Sequence, residues 1–177
     1  MNPGLTKSLR RFQCVDSRET DLSPPESFEP IENIGGSTGW YAFDRLWRLR
    51  LLVDRALGGV EIQKGRKDGA GLNSGDALDW WSVEAYQPDT LLLLRAEMKL
   101  PGRAWLRFDV SPNVTGSTIR QTTTFEAAGL AGLVYWYGTY PLHSVVFRGM
   151  LEGIVSCSKR KSDASETTRA EQSIRLS

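Results

Sequence analysis

Histidine is close to absent from this sequence: His143 is the only one, beside two cysteines and three methionines. A metal centre built on several imidazoles is therefore excluded. Cys14 and Cys157 lie near opposite ends, neither in a CxxC or ligand-spaced neighbourhood. Both read as free thiols in a reducing compartment, and no zinc site is expected. A charge excess is also missing, because 22 Lys and Arg stand against 21 Asp and Glu, a net charge of +1. That balance gives no reason to expect nucleic acid or another polyanion as partner. Lys7, Arg10 and Arg11 are not followed by an apolar stretch, so no signal peptide is read and a cytoplasmic location is expected. In that setting Asn113-Val114-Thr115, which fits a glycosylation sequon, reads as a turn. A phosphate-binding P-loop is absent too. Gly69-Ala70-Gly71 sits in a polar, glycine-rich stretch over 58–76. No strand precedes it and a strand follows where a helix should, so it is not a dinucleotide fingerprint. No cofactor is expected, and the stretch reads as a loop able to cover a cavity mouth.

What the sequence does have is one long uncharged run, AAGLAGLVYWYGTYPLHSVVF, from Ala127 to Phe147. Its length would cross a bilayer, but its glycines and its mid-run Tyr135, Trp136, Tyr137 and Tyr140 do not fit a span, whose aromatics gather at the ends. The run predicts a buried helix over 130–156, kinked near Tyr137 because Pro141 removes one helical hydrogen bond. The rest of the chain is expected to wrap it.

The 177 residues suffice for one domain with a sizeable core. Residues 1–22 read as an N-terminal segment with a first strand over 9–15. The domain proper is expected over 23–157, and the polar tail over 158–177 is expected to be disordered. Ser23-Pro24-Pro25-Glu26 is a helix start, with Phe28, Ile31 and Ile34 on its buried side and Gly35-Gly36 at its end. A second helix is expected over 42–57, where Leu46, Leu49 and Val53 recur at helical spacing and Arg45, Arg48 and Arg55 line another face. Four strands follow, over 77–86, 91–99, 103–110 and 117–125, with short turns that imply an antiparallel meander. Alternation points Leu92, Leu94, Ala96 and Met98 inward, and likewise Ala104, Leu106, Phe108 and Val110. Arg95, Glu97, Lys99, Arg103, Arg107 and Asp109 face water as cross-strand charge pairs. The fourth strand breaks the pattern by turning Gln121 and Thr123 inward with Ile119 and Phe125, and the first puts Asp79 on the side of Trp81 and Val83. Buried polar groups need hydrogen bonds, so these either bond to one another or line a pocket.

The segments IGGSTGWY (34–41), LWRLRLLVD (46–54), GDALDWWSVEA (75–85), RAEMKLPGRAWLRFDV (95–110) and YWYGTYPLH (135–143) with FRGML (147–151) carry a resemblance. They resemble an uncharacterised bacterial domain family that usually follows atypical short-chain dehydrogenase (SDR-like, NAD(P)-binding) modules. The order of elements resembles the START-like helix-grip fold of the SRPBCC superfamily. The resemblance implies an α+β fold, a curved antiparallel sheet wrapped around a long C-terminal helix with two shorter helices. It also implies an apolar ligand between helix and sheet, while the nucleotide-binding half is missing here. The leading expectation is a non-catalytic, small-apolar-ligand-binding domain lined by Trp81, Met98, Gln121, Thr123, Tyr137 and His143. The first alternative is an interaction module docking on an SDR-type dehydrogenase through the Arg45, Arg48 and Arg55 face. The second is a cofactor-independent pocket enzyme using Asp79 and His143 as an acid–base pair.

Overall fold

The computed structural model describes residues 10–36, 38–41 and 71–175. The sequence-predicted helix over 42–57, with its arginine face, lies outside these residues. The meander is present, and it forms one six-stranded antiparallel sheet in the order β1-β6-β5-β4-β3-β2. Its strands are β1 (Arg10–Thr20), β2 (Ala77–Leu78), β3 (Trp81–Gln87), β4 (Leu91–Ala96), β5 (Gly102–Pro112) and β6 (Ser117–Ala127). Helix α1 (Pro24–Glu32) follows β1, and helix α2 (Gly129–Arg175) follows β6 and lies in the sheet's hollow.

Local chemistry sets most boundaries. At the start of α1 the Glu26 carboxylate accepts the Ser23 backbone N–H at 2.9 Å, half of the capping box. Helix α1 ends at Glu32 with Asn33 as its C-cap, before the expected Gly35-Gly36; those glycines, at φ +84° and +56°, lie in the following turn, where Gly35 bridges to Gly39. Asn113 builds the β5–β6 turn as read: its side-chain carbonyl accepts the N–H of Thr115 at 2.9 Å and of Gly116 at 2.7 Å.

Three expectations need correction. The first strand is longer than 9–15, because Asp16 and Arg18 find ion-pair partners on α2, Arg148 at 3.4 Å and Glu152 at 3.2 Å. The segment over 77–86 is not one strand. The chain turns at Asp79, φ +54°, so that Leu78 pairs with Trp81. Asp79 therefore lies in a hairpin turn, off the alternation of β3. Finally, α2 does not stop near Ser156 but runs to Arg175, through the tail expected to be disordered. That tail contains no glycine or proline, so nothing in it breaks a helix. Its first residues are tied down by Lys159–Asp21 at 3.4 Å and Lys161–Glu29 at 2.8 Å.

Face assignments follow the alternation. Leu92, Leu94, Leu106, Phe108, Val110 and Ile119 are buried, and the charged residues face the other way; the expected cross-strand pairing is seen for Arg103–Glu126, whereas Arg95–Glu97 and Arg107–Asp109 pair with a neighbour two residues along. The helix is less enclosed than its composition implies. Leu130, Val134, Tyr137, Leu142 and Val145 are exposed, so protein covers one side of α2 and water reaches the other.

Candidate functional site

The core comes in two pieces. The larger joins Phe28 and Ile31 of α1 to Leu94, Leu106 and Phe108 of the sheet and to Met150, Leu151 and Ile154 of α2. The smaller consists of Phe125, Ala127 and Trp136, with Phe12, Leu133 and Tyr135 packed on it. In it Trp136 stacks on Phe12 at 4.9 Å and on Phe125 at 5.7 Å between ring centroids.

Between the two pieces lies a cavity of about 460 Å³. Its origin can be followed across the sheet. Phe12 pairs with Phe125, Phe125 with Ala104, and Trp81 with Ala96. The register that sets Arg95 against Trp105 brings Ala104 beside Ala96 one step further on. The row on the concave face thus reads Phe12, Phe125, Ala104, Ala96, Trp81. Two methyl-sized side chains stand between large rings, and the space that larger residues would fill is left open under α2. One row along, Leu106, Leu94 and Val83 fill the same positions and the core closes. Close packing is the norm for interiors, so a hollow of this size is a built feature.

Tyr135, Trp136, Thr139, His143, Val146 and Phe147 of α2 form the roof. His143 lies between Tyr135 and Phe147, at ring-centroid distances of 6.2 and 5.8 Å. The open side runs between β1 and α2, with Gln13, Val15 and Asp16 along the strand edge and Tyr140, Leu142 and Arg148 along the helix. The charged lining residues are Asp16 and Arg148, and they neutralise each other as an ion pair. Burial raises the Cys14 thiol pKa above its ordinary value, more than its hydrogen bond with Tyr140 lowers it. Cys14 therefore presents a neutral, weakly polar surface.

Of the six lining residues read from the sequence, Trp81, Met98, Thr123 and His143 line this cavity. Gln121 is buried deeper, where its amide donates to the Phe147 carbonyl at 3.0 Å. Tyr137 points away from the cavity, 64% exposed, with an edge-on contact to Phe12. Asp79 and His143 are not brought together at the cavity. The Asp79 carboxylate accepts the Trp40 indole N–H at 2.9 Å and the Gly36 N–H at 3.2 Å, fastening the chain after α1 to the β2–β3 turn. Sequence reasoning missed Ala96 and Ala104 as the residues that make the space. The available signal was small inward residues set against Trp81 and Phe125. No cluster of metal-ligand side chains is found among the described residues.

A curved antiparallel sheet that grips one long helix over a cavity defines a helix-grip protein. The chain belongs to the DUF2867 family, described as proteins of unknown function, whose profile matches residues 8–150. Comparison with curated proteins finds none that matches. Solved structures are similar in fold. A protein of unknown function from Staphylococcus aureus superimposes with a TM-score of 0.50 at 9% identity, covering 88% of this chain and 98% of that one. An uncharacterised protein from Rhizobium leguminosarum gives 0.50 at 13% identity, covering 86% and 97%. The di-domain ARO/CYC StfQ of the steffimycin biosynthetic pathway gives 0.52 at 7% identity, over 86% of this chain and 52% of that chain. No helix among the described residues is long and apolar enough to cross a membrane.

Proposed function

We propose that this chain is a binding module of SRPBCC type for a small, neutral, ring-bearing apolar molecule held between the sheet and α2. The observation that carries the reading is the alanine pair, Ala96 and Ala104, which splits the core around a cavity of about 460 Å³, within the range of small-ligand pockets. Aromatic walls at Trp81, Phe125, Tyr135 and Trp136 favour a flat ring system by stacking as well as by area burial. Mutual neutralisation of Asp16 and Arg148 favours an uncharged ligand. Polarity is supplied by hydroxyls and one imidazole. StfQ, a di-domain ARO/CYC protein of similar fold, is in keeping with this reading. The motif resemblance adds an SDR-type dehydrogenase as the partner on which such a module would dock.

Titration with N-phenyl-1-naphthylamine, a neutral aromatic fluorophore, tests the proposal. Saturable binding to the wild type, lost in Ala96→Leu/Ala104→Leu with the circular dichroism spectrum unchanged, is the expected result. Equal binding by both proteins, or none by the wild type, would overturn it.

A further inference from the structure

The two edges of the sheet are built differently. At one edge β2 is two residues long, the short edge strand by which proteins avoid further pairing. At the other edge β1 has eleven residues, all in unbroken register with β6. It contains no proline, glycine or bulge. Among the described residues no strand pairs with its outer side. A long, regular, unpaired edge is a template for another strand.

The side chains on this edge are self-complementary. Arg11, Gln13, Val15, Ser17 and Glu19 share the outer face and all are exposed, Val15 at 55%. When β1 is laid antiparallel on a second β1 with Val15 at the two-fold axis, Arg11 faces Glu19 twice, Gln13 faces Ser17 and Val15 faces Val15. On the inner face Phe12 meets Arg18 and Cys14 meets Asp16. Every opposed pair is of opposite charge, uncharged, or has one charged member, and none is like-charged.

The exposed apolar side of α2 overlooks the same edge. Tyr137 touches Phe12, Arg148 bonds Asp16 and Glu152 bonds Arg18. The residues between them on that stripe are Pro141 and Val145, both exposed. Contiguous exposed apolar surface beside a free edge marks an interface. An isologous contact satisfies both features at once, since the two-fold axis that pairs the strands brings the two helices alongside each other on one face of the joined sheet.

We propose that two copies of this chain associate through antiparallel β1–β1 pairing centred on Val15, making one continuous twelve-stranded sheet from two six-stranded ones. The pairing sets each partner against the open side of the other's cavity, where Gln13 and Val15 lie. It does not depend on what the cavity holds.

Sedimentation velocity on the full chain tests the proposal with four proteins: wild type, Arg11→Glu, Glu19→Arg and the double variant. The wild type is expected at twice the 19.8 kDa chain mass. Each single reversal sets like charges opposed at two places and is expected to weaken association about tenfold, while the double variant restores it. Circular dichroism confirms that each variant is folded. Val15→Cys, in a Cys14→Ser/Cys157→Ser background, is expected to form a disulfide dimer on mild oxidation. A wild type that stays monomeric, a dimer insensitive to the single reversals, or a double variant as weak as the singles would overturn the proposal.

Discussion

Replacing Ala104 by leucine should stabilise the protein, although enlarging a core residue ordinarily does the opposite. Ala104 faces the cavity floor between Phe125 and Ala96. Leucine adds about three carbons, and at about 0.8 kcal/mol per buried CH₂ the gain is about 2.4 kcal/mol. Fixing the new side chain costs about 0.5–1 kcal/mol. The net is a gain of about 1.5 kcal/mol, which for a chain of this size raises Tm by about 3–6 °C. The control is Leu106→Phe, one row along, where the side chain is fully buried in closed core. Overpacking there should cost about 1–3 kcal/mol. Thermal unfolding followed by circular dichroism reads both variants. If Ala104→Leu lowers Tm as Leu106→Phe does, the space between the alanines is not there and the binding-site reasoning fails with it.

Glycines in α2 should separate in the same assay. A Cβ at Gly132 would lie 2.4 Å from the Pro101 carbonyl oxygen, whereas one at Gly138 meets nothing within 4 Å. Gly132→Ala is expected to destabilise and Gly138→Ala to stabilise by about 0.5–1 kcal/mol; equal effects would count against the close approach of α2 to the β4–β5 turn. The buried Ser117 hydroxyl donates to the Ser27 hydroxyl at 2.7 Å, pinning β6 to α1. Ser27→Ala should cost about 1–3 kcal/mol in urea unfolding, and Ser27→Ala/Ser117→Ala less than twice that, because the single variant leaves a buried hydroxyl unpaired. The pKa of Glu97 is depressed by the Ser82 hydroxyl and then by Arg95, and that of Glu26 by the Ser23 hydroxyl and backbone N–H. Their contribution is complete above the unfolded carboxylate pKa of about 4.3 and is lost as pH falls through the lower folded value. Tm should therefore fall in that acid window, and Glu97→Gln should flatten the fall; an unchanged slope would show that Glu97 contributes nothing.

Much of the sheet was legible because its information is local. Leu92, Leu94, Leu106 and Phe108 alternate with Arg95 and Arg107, and period-two burial needs no knowledge of the partner strand. The start of α1 was legible for the same reason, since Ser23, Pro24 and Glu26 act on one another within a single turn. Asp79 was misplaced because a turn at positive φ looks the same in sequence as one more residue of an alternating strand. The cavity was half legible. Trp81, Met98 and Thr123 could be taken from strand alternation and His143 from its place on the uncharged run, but the Ala104–Ala96 neighbourhood exists only once β4 and β5 are in register. Helix α2 was legible as a helix but not as a half-exposed one, because absence of charge does not distinguish burial from an apolar surface awaiting a partner.

The division of the core has a mechanical consequence for α2. The helix is clamped at Trp136 by stacked rings and again from Phe147 to Ile154 by the main core, and the roof spans the gap between the clamps. Within that span Pro141 has no amide hydrogen to give, and the Thr139 and Ser144 hydroxyls compete for the carbonyls of Tyr135 and Pro141 at 2.7 and 2.8 Å. The bridge has its sparsest backbone hydrogen bonding over the hollow, between two closely packed piers. If the proposed ligand binds, that span is the part of the helix lying over it.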